Sequence, residues 1–198
     1  SDSGDGAGIL CEIPWSYFKK VWDTADKSES RSSGIGMIFM PKDKQNRALA
    51  RKICEQEAES LGVISKGWRD VPVNQDVLGK LARENAPFIT QWIVHSKEKD
   101  INLEALLFRL RQRISNRANI ELKKDKLGLY ICSLSSKTIV YKGMVRSEIL
   151  APFYNDLTDE RFEVSYVVYH RRFSTNTLPK WPLAQPMRLL GHNGEINT

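Results

Sequence analysis

Apolar positions in this chain recur with two periods, and the switches between them outline its elements. Short runs of strand length fall at 9–13, 34–40, 63–71 and 88–95, with Pro14, Pro41 and Pro72 closing the first three. From Trp15 the spacing of Phe18, Val21 and Trp22 turns helical, and 26–33 is polar and turn-like. Residues 47–61 predict an amphipathic helix: Leu49, Ile53 and Leu61 share a stripe with Ala50 and Ala58 beside it, and Gly62 is placed to cap its end. Asn74 can cap a helix over 75–84, and Asn102 a longer one with Leu103, Leu106, Leu107, Leu110 and Ile114 on one face.

The second half continues with runs at 127–134 and 138–141, which read as a β-pair around a turn at 135–137. Residues 147–157 read as helical, with Pro152 blurring the limits. Residues 162–170 alternate and are rich in Val and Tyr, which predicts a strand, and 187–190 predicts another. Helices and strands interleave but hairpin signals are present, a pattern that suits a layered α/β domain with a mixed or antiparallel sheet. There is no internal repeat and no low-complexity segment.

Composition narrows the function classes. The 198 residues are 41% hydrophobic and 27% charged, ordinary for a globular domain. No apolar run approaches the roughly 20 residues of a membrane helix. The opening Ser1-Asp2-Ser3-Gly4-Asp5 is acidic and unlike a secretory or transit leader, and it lacks an initiator Met. Both ends read as cut. The net charge of +6 is spread along the chain; its densest run, Arg109, Arg111, Arg113, Arg117, Lys123, Lys124 and Lys126, reads as a solvated helix face and loop. No zinc-finger spacing or glycine-aromatic motif supports a nucleic-acid interface, which stays as the rival class. Cys11, Cys54 and Cys132 are widely spaced and odd in number, so buried reduced thiols are expected rather than disulfides. His95, His170 and His192 are scattered, and no metal site is expected.

Two stretches carry candidate chemistry. "SGDGAG" at 3–8 lacks the Gly-Lys-Ser/Thr of a phosphate loop, and the run after Gly8 reads as a strand rather than a helix, so the glycines read as a tight turn. After the strand ending near His170 comes a polar cluster, Arg171, Arg172, Ser174, Thr175, Asn176 and Thr177, then a loop stiffened by prolines and Trp181. Loops leaving a sheet with convergent polar groups are common binding sites, and an Arg there can take a carboxylate through both arms of its fork. Asn193-Gly194 sets a side-chain amide beside a backbone N–H, which together can hold an oxyanion; by itself the pair reads better as a hairpin turn.

The stretch "HRRFSTNTLPKWPLAQPMRLLGHNGEINT" resembles the glutaminase domain of glutamate synthases, which is a class II glutamine amidotransferase domain. The opening "SDSGDGAGIL" followed by "IPW" resembles the same family, in wording closest to the ferredoxin-dependent type of plastids and cyanobacteria. The resemblance implies an α+β fold, the four-layer αββα sandwich of N-terminal-nucleophile hydrolases, incomplete here, with 1–198 part of one type-2 amidotransferase domain cut at both ends. It implies that Arg172 holds the α-carboxylate of L-glutamine, that Thr175 is a neighbouring substrate contact, and that Asn193 and Gly194 form the oxyanion hole. The family's nucleophile is a Cys at the mature N-terminus, which none of the three cysteines matches, so these residues alone are expected to be inactive.

For the complete enzyme the resemblance implies ammonia release for reductive amination of 2-oxoglutarate to L-glutamate. FMN and a 3Fe-4S cluster lie outside these residues, and electrons come from ferredoxin. The compartment would be the plastid stroma, or the cytoplasm in a bacterium. An NAD(P)H-dependent large subunit is the alternative within the family, and another class II amidotransferase the alternative beside it.

Overall fold

The computed structural model describes residues 5–26, 31–98, 100–122, 128–173 and 178–188. The chain divides into two units, one of Ser1–Glu12, Val71–Ala86 and Thr138–Thr198, the other of Ile13–Asp70 and Pro87–Lys137.

The second unit is built on a four-stranded sheet of β2 (Ser33–Met40), β3 (Val63–Asp70), β4 (Phe88–Ser96) and β5 (Tyr130–Ser135), in the order β3-β4-β2-β5. Every pairing is antiparallel. Two short helices, α1 (Trp15–Val21) and α2 (Asp23–Asp26), precede it. Two long helices, α3 (Lys44–Ser60) and α5 (Leu103–Glu121), pack on one sheet face. Ala50, Ile53, Cys54 and Ala58 of α3 and Leu107, Leu110, Ile114 and Ala118 of α5 meet Ile38, Met40, Trp92 and Val94 of the sheet. This is the apolar stripe expected from the sequence. Asn102 accepts from the Ala105 N–H and caps α5 as expected, and Gly62 follows α3 at φ 70°. The helix α3 starts three residues earlier than its apolar spacing indicates, because Asp43 Oδ2 accepts from the Asn46 N–H at 2.8 Å.

The first unit holds a three-stranded antiparallel sheet, with β1 (Ala7–Glu12) between β6 (Thr138–Gly143) and β7 (Val167–His170). Helices α4 (Lys80–Glu84) and α6 (Ser147–Phe153) and 3-10 turns at Gln75–Val77, Asn155–Thr158 and Trp181–Leu183 complete it. Its core is aromatic and hydrogen-bonded. The Tyr141 hydroxyl donates to buried Asp156 at 2.8 Å, the Tyr154 hydroxyl donates to the Lys142 carbonyl at 2.7 Å, and the Phe153 and Trp181 rings pack together.

Four expectations are corrected. The runs at 127–134 and 138–141 do not pair: β5 joins β2 and β6 joins β1, in separate sheets. The intervening turn is tied to α5, whose Glu104 carboxylate accepts from Ser135 Oγ, Ser136 Oγ and the Ser136 N–H, and β6 then starts opposite Glu12. The helix expected over 75–84 breaks at Leu78-Gly79 into the 3-10 turn and α4, although Asn74 caps its start by accepting from the Asp76 N–H. The helix expected over 147–157 stops at Phe153, where Tyr154 turns extended to form a bridge with Val73, and a 3-10 turn comes next. The strand expected over 162–170 is formed only by its last four residues, because 159–163 curl into turns held by the Asp159 carbonyl and side chain. Of the run at 187–190, Leu189 and Leu190 lie outside the described residues.

Candidate functional site

The candidate loop starts where β7 ends. That strand runs antiparallel to β1, with Gly8 opposite His170 and Cys11 opposite Val167, and Glu12 anchors its approach by accepting from the Ser165 N–H and hydroxyl. Two arginines come next and behave differently. Arg171 Nε donates to Ser147 Oγ at 3.3 Å, beside Glu148 at the start of α6. The Glu148 carboxyl lies below the usual carboxylate range, held there by its own backbone N–H, then by Arg146, Ser147 and Arg171. Arg172 is exposed and has no side-chain partner among the described residues. Both side chains are exposed; Arg171 is tied to the start of α6 and Arg172 is not tied to any described residue.

The other neighbour of Arg172 is packed against the opening of the chain. The Phe173 ring occupies the space a side chain on Gly6 would need: a Cβ there would lie 2.6 Å from ring carbons. Gly8 is used the same way. A Cβ on it would fall 2.5 Å from the Gln185 carbonyl oxygen and 2.5 Å from Lys142 Cβ. Gly6 thus leaves room for Phe173 and Gly8 for Gln185, and Gly8 lies within β1 rather than in the tight turn its composition suggests, while Ser3 and Gly4 lie outside the described residues.

The described residues 181–187 are pinned. Trp181 is buried, its ring lies against Gly143, and its Nε1 donates to the Ala82 carbonyl at 3.1 Å. Ala184 and Gln185 are buried as well. Lys142 is fully buried, and its ammonium donates to the Pro182 carbonyl at 2.9 Å and approaches Met187 Sδ at 3.5 Å.

Of the four candidate residues, Arg172 is described, at the predicted exit from a strand; Thr175, Asn193 and Gly194 lie outside the described residues. Sequence reading passed over Lys142, Gly6 and Phe173. The one signal for them was a Lys inside the apolar run "TIVYKG", a position a solvated Lys does not take.

The three thiols are free and buried. Burial and the adjacent Glu12 push the Cys11 thiol up to about 12, and burial pushes Cys54 higher still. A thiol held protonated in this way is a poor nucleophile. Among the described residues no three His, Cys, Asp or Glu side chains converge as metal ligands, and the cysteines stand on β1, α3 and β5. No helix among them is long and apolar enough to cross a membrane. In the second unit an open cavity of about 460 Å³ is lined by Glu55, Glu59, Ser65 and Lys97 among others, and Arg172 is not part of its lining. Two members of the basic run on α5 are paired with carboxylates: Arg113 and Arg117 both reach Glu57, and Arg117 also reaches Glu121.

Comparison with known proteins adds the lineage. The family profile of the class-II glutamine amidotransferases matches residues 1–198. The chain is 46% identical over 203 residues to ferredoxin-dependent glutamate synthase 1, chloroplastic/mitochondrial, of Arabidopsis thaliana, covering all of this chain and 12% of that protein. It is 46% identical over 200 residues to ferredoxin-dependent glutamate synthase 2 of Synechocystis, with the same coverage. It is 43% identical over 200 residues to the NADPH glutamate synthase large chain of Azospirillum brasilense, covering 99% of this chain and 13% of that protein. The chain thus spans about an eighth of the length of these relatives.

Proposed function

The chain belongs to the class-II glutamine amidotransferases, and from that premise we propose that it is the glutaminase part of a glutamate synthase. In this reading residues 1–198 are part of one amidotransferase domain whose full form is a four-layer αββα sandwich; the antiparallel sheets and the helices packed on them are its components. The substrate is L-glutamine, and the half-reaction adds water to its side-chain amide to give glutamate and ammonia. The complete enzyme consumes that ammonia, 2-oxoglutarate, two electrons and two protons to give a second glutamate and water. FMN and a 3Fe-4S cluster would carry the electrons in parts of the enzyme beyond these residues. The compartment is a plastid or a bacterial cytoplasm, in keeping with the plant and cyanobacterial relatives.

The observation that carries the glutamine reading is the contrast between the two arginines. A planar fork without a protein partner among the described residues, two residues past the end of a strand, suits the α-carboxylate of an amino acid. Thr175 would add a neighbouring contact. The Asn193 amide and the Gly194 N–H would donate to the oxygen that becomes negative when the amide carbon turns tetrahedral. The attacking thiolate comes from none of Cys11, Cys54 or Cys132, which are buried.

In the complete enzyme, Arg172→Lys is expected to raise the KM for glutamine at least about tenfold, because a point charge replaces a bidentate fork. Asn193→Ala should lower glutamine-dependent turnover by roughly 10²–10³-fold, the usual loss for one oxyanion donor. Synthesis from free ammonia should persist in both variants. An unchanged glutamine KM in the first and a loss under about fivefold in the second would overturn the site. The electron donor is read separately, by supplying reduced ferredoxin or NADPH. Ferredoxin is expected to support turnover, and NADPH alone doing so would move the enzyme to the type of the Azospirillum relative.

A further inference from the structure

The open cavity of about 460 Å³ in the second unit plays no part in the glutamine reading, and no residue beyond Lys97 lines it. We propose that it binds a free aliphatic α-amino acid in its zwitterionic form, with Glu55 and Glu59 taking the ammonium and Lys97 and Ser65 the carboxylate. The proposal stands whether or not the chain hydrolyses glutamine.

The carboxylates of this cavity sit where helix electrostatics disfavours them. Glu55 and Glu59 lie one turn apart on the same face of α3, where like charges repel. They also stand toward the C-terminal end of α3, which has no basic residue in its last turn, so the negative end of the helix dipole opposes them. Glu57 between them is answered by Arg113 and Arg117. Glu55 accepts one hydrogen bond, from Trp68 Nε1 at 2.7 Å, and Glu59 meets no partner among the described residues. An ammonium bound between the two carboxylates relieves both repulsions.

The rest of the lining supplies the opposite charge. The pairing of Val63 with Ser96 brings Lys97 to the start of β3, and Ser96 Oγ fixes the turn there by accepting from the Glu98 N–H at 3.2 Å. Lys97 has no ion-pair partner among the described residues, although two carboxylates line the same cavity. Ser65 Oγ accepts from Trp92 Nε1 at 2.8 Å, which leaves its proton free to donate. Trp92 is fully buried and stacks on Trp68 at 4.9 Å, so one aromatic pair orients both Ser65 and Glu55. Val63 and Ile64 add apolar lining for a side chain. Opposite charges that share a cavity without closing on each other suit a molecule that carries both. A simple cation would be repelled by Lys97, and a simple anion by the glutamates.

The test uses L-leucine, which carries both charges and an aliphatic side chain. Its two halves are the controls: isoamylamine lacks the carboxylate, and isocaproate lacks the ammonium. Amide hydrogen exchange over 59–66 is read in the complete enzyme with each compound at about 10 mM, enough to fill most of a site with a Kd of about 1 mM. L-leucine is expected to slow exchange there at least about twofold, and neither half to do so. Glu59→Gln and Lys97→Met should each abolish the protection. Both positions are exposed, and Glu59→Gln removes a repulsion, so both variants are expected to fold.

Equal protection by isoamylamine would make this a cation site and overturn the proposal. So would the absence of protection by L-leucine, or protection that survives both substitutions. Arg172→Lys separates this inference from the glutamine reading, since it should leave the protection over 59–66 intact. An unchanged glutamine KM in that variant, with full protection by L-leucine, sinks only the glutamine reading. A raised KM with no protection in the parent sinks only the amino-acid site.

Discussion

At the scale of single residues the first unit relies on the missing Cβ of Gly6, against which the Phe173 ring lies. Gly6→Ala would put a methyl carbon 2.6 Å from ring carbons, so the ring must move. Phe173 is only half-buried, and the ring can swing outward at small cost to stability. Arg172 precedes it directly. The expected outcome is a severalfold rise in the KM for glutamine with little change in melting temperature. At Gly8 the obstacle is the Gln185 carbonyl, which is backbone and has no rotamer to change. Gly8→Ala should therefore destabilise by about 1–3 kcal/mol, as overpacking does. Equal effects of the two substitutions on both quantities would contradict this division.

At the scale of elements, α3 and α5 are joined over their apolar stripes and also at their outer edges. Glu57 accepts from Arg113 Nε at 2.6 Å and from Arg117 at 3.3 Å, and Arg117 also reaches Glu121 within its own helix. Burial pushes the Glu57 carboxyl up, but the hydrogen bonds and charges of the two arginines outweigh it and hold it below its ordinary range. A carboxyl lowered in the folded state stabilises that state above its unfolded pKa, about 4.3, and loses the contribution as pH falls through the depressed value. Amide exchange in α3 and α5 should therefore accelerate as pH falls below about 4.3, beyond the intrinsic trend. Glu57→Gln should remove that extra dependence and raise exchange at pH 7, by the roughly 1 kcal/mol or less that a half-exposed pair contributes. The same acid sensitivity in parent and variant would assign the stabilisation to other groups.

For the whole molecule, the distribution of thiols sets a limit on chemistry. Cys11 lies on the central strand of one sheet, Cys132 on a strand of the other, and Cys54 on α3, all buried. With the Cys11 thiol pushed up to about 12 and that of Cys54 raised further, neither is ionised at neutral pH. The folded protein should leave all three unmodified by a brief pulse of alkylating reagent at pH 8 and expose them after unfolding, as read by peptide mass. For the same reason the 198 residues alone should release no ammonia from glutamine. Turnover matching that of the complete enzyme would identify one of these cysteines as a nucleophile.

Most elements were legible in the amino-acid order, because their causes are local. The stripes of α3 and α5, the caps at Asn74 and Asn102, and the buried run of β2 all come from spacing and side-chain chemistry within a few residues. The family was legible too, through the long polar segment after β7, and with it the candidate role of Arg172. Strand pairing was settled only in three dimensions. The runs now in β5 and β6 are adjacent in sequence and both apolar, and nothing local forbids a hairpin; Glu104, some thirty residues away, and the partners β2 and β1 divert them. The purposes of Gly6, Gly8 and Lys142 were equally illegible. A glycine shows no trace in sequence of the group that fills the space beside it, and a lysine is read as solvated until the Pro182 carbonyl and the packed strands around it are in place.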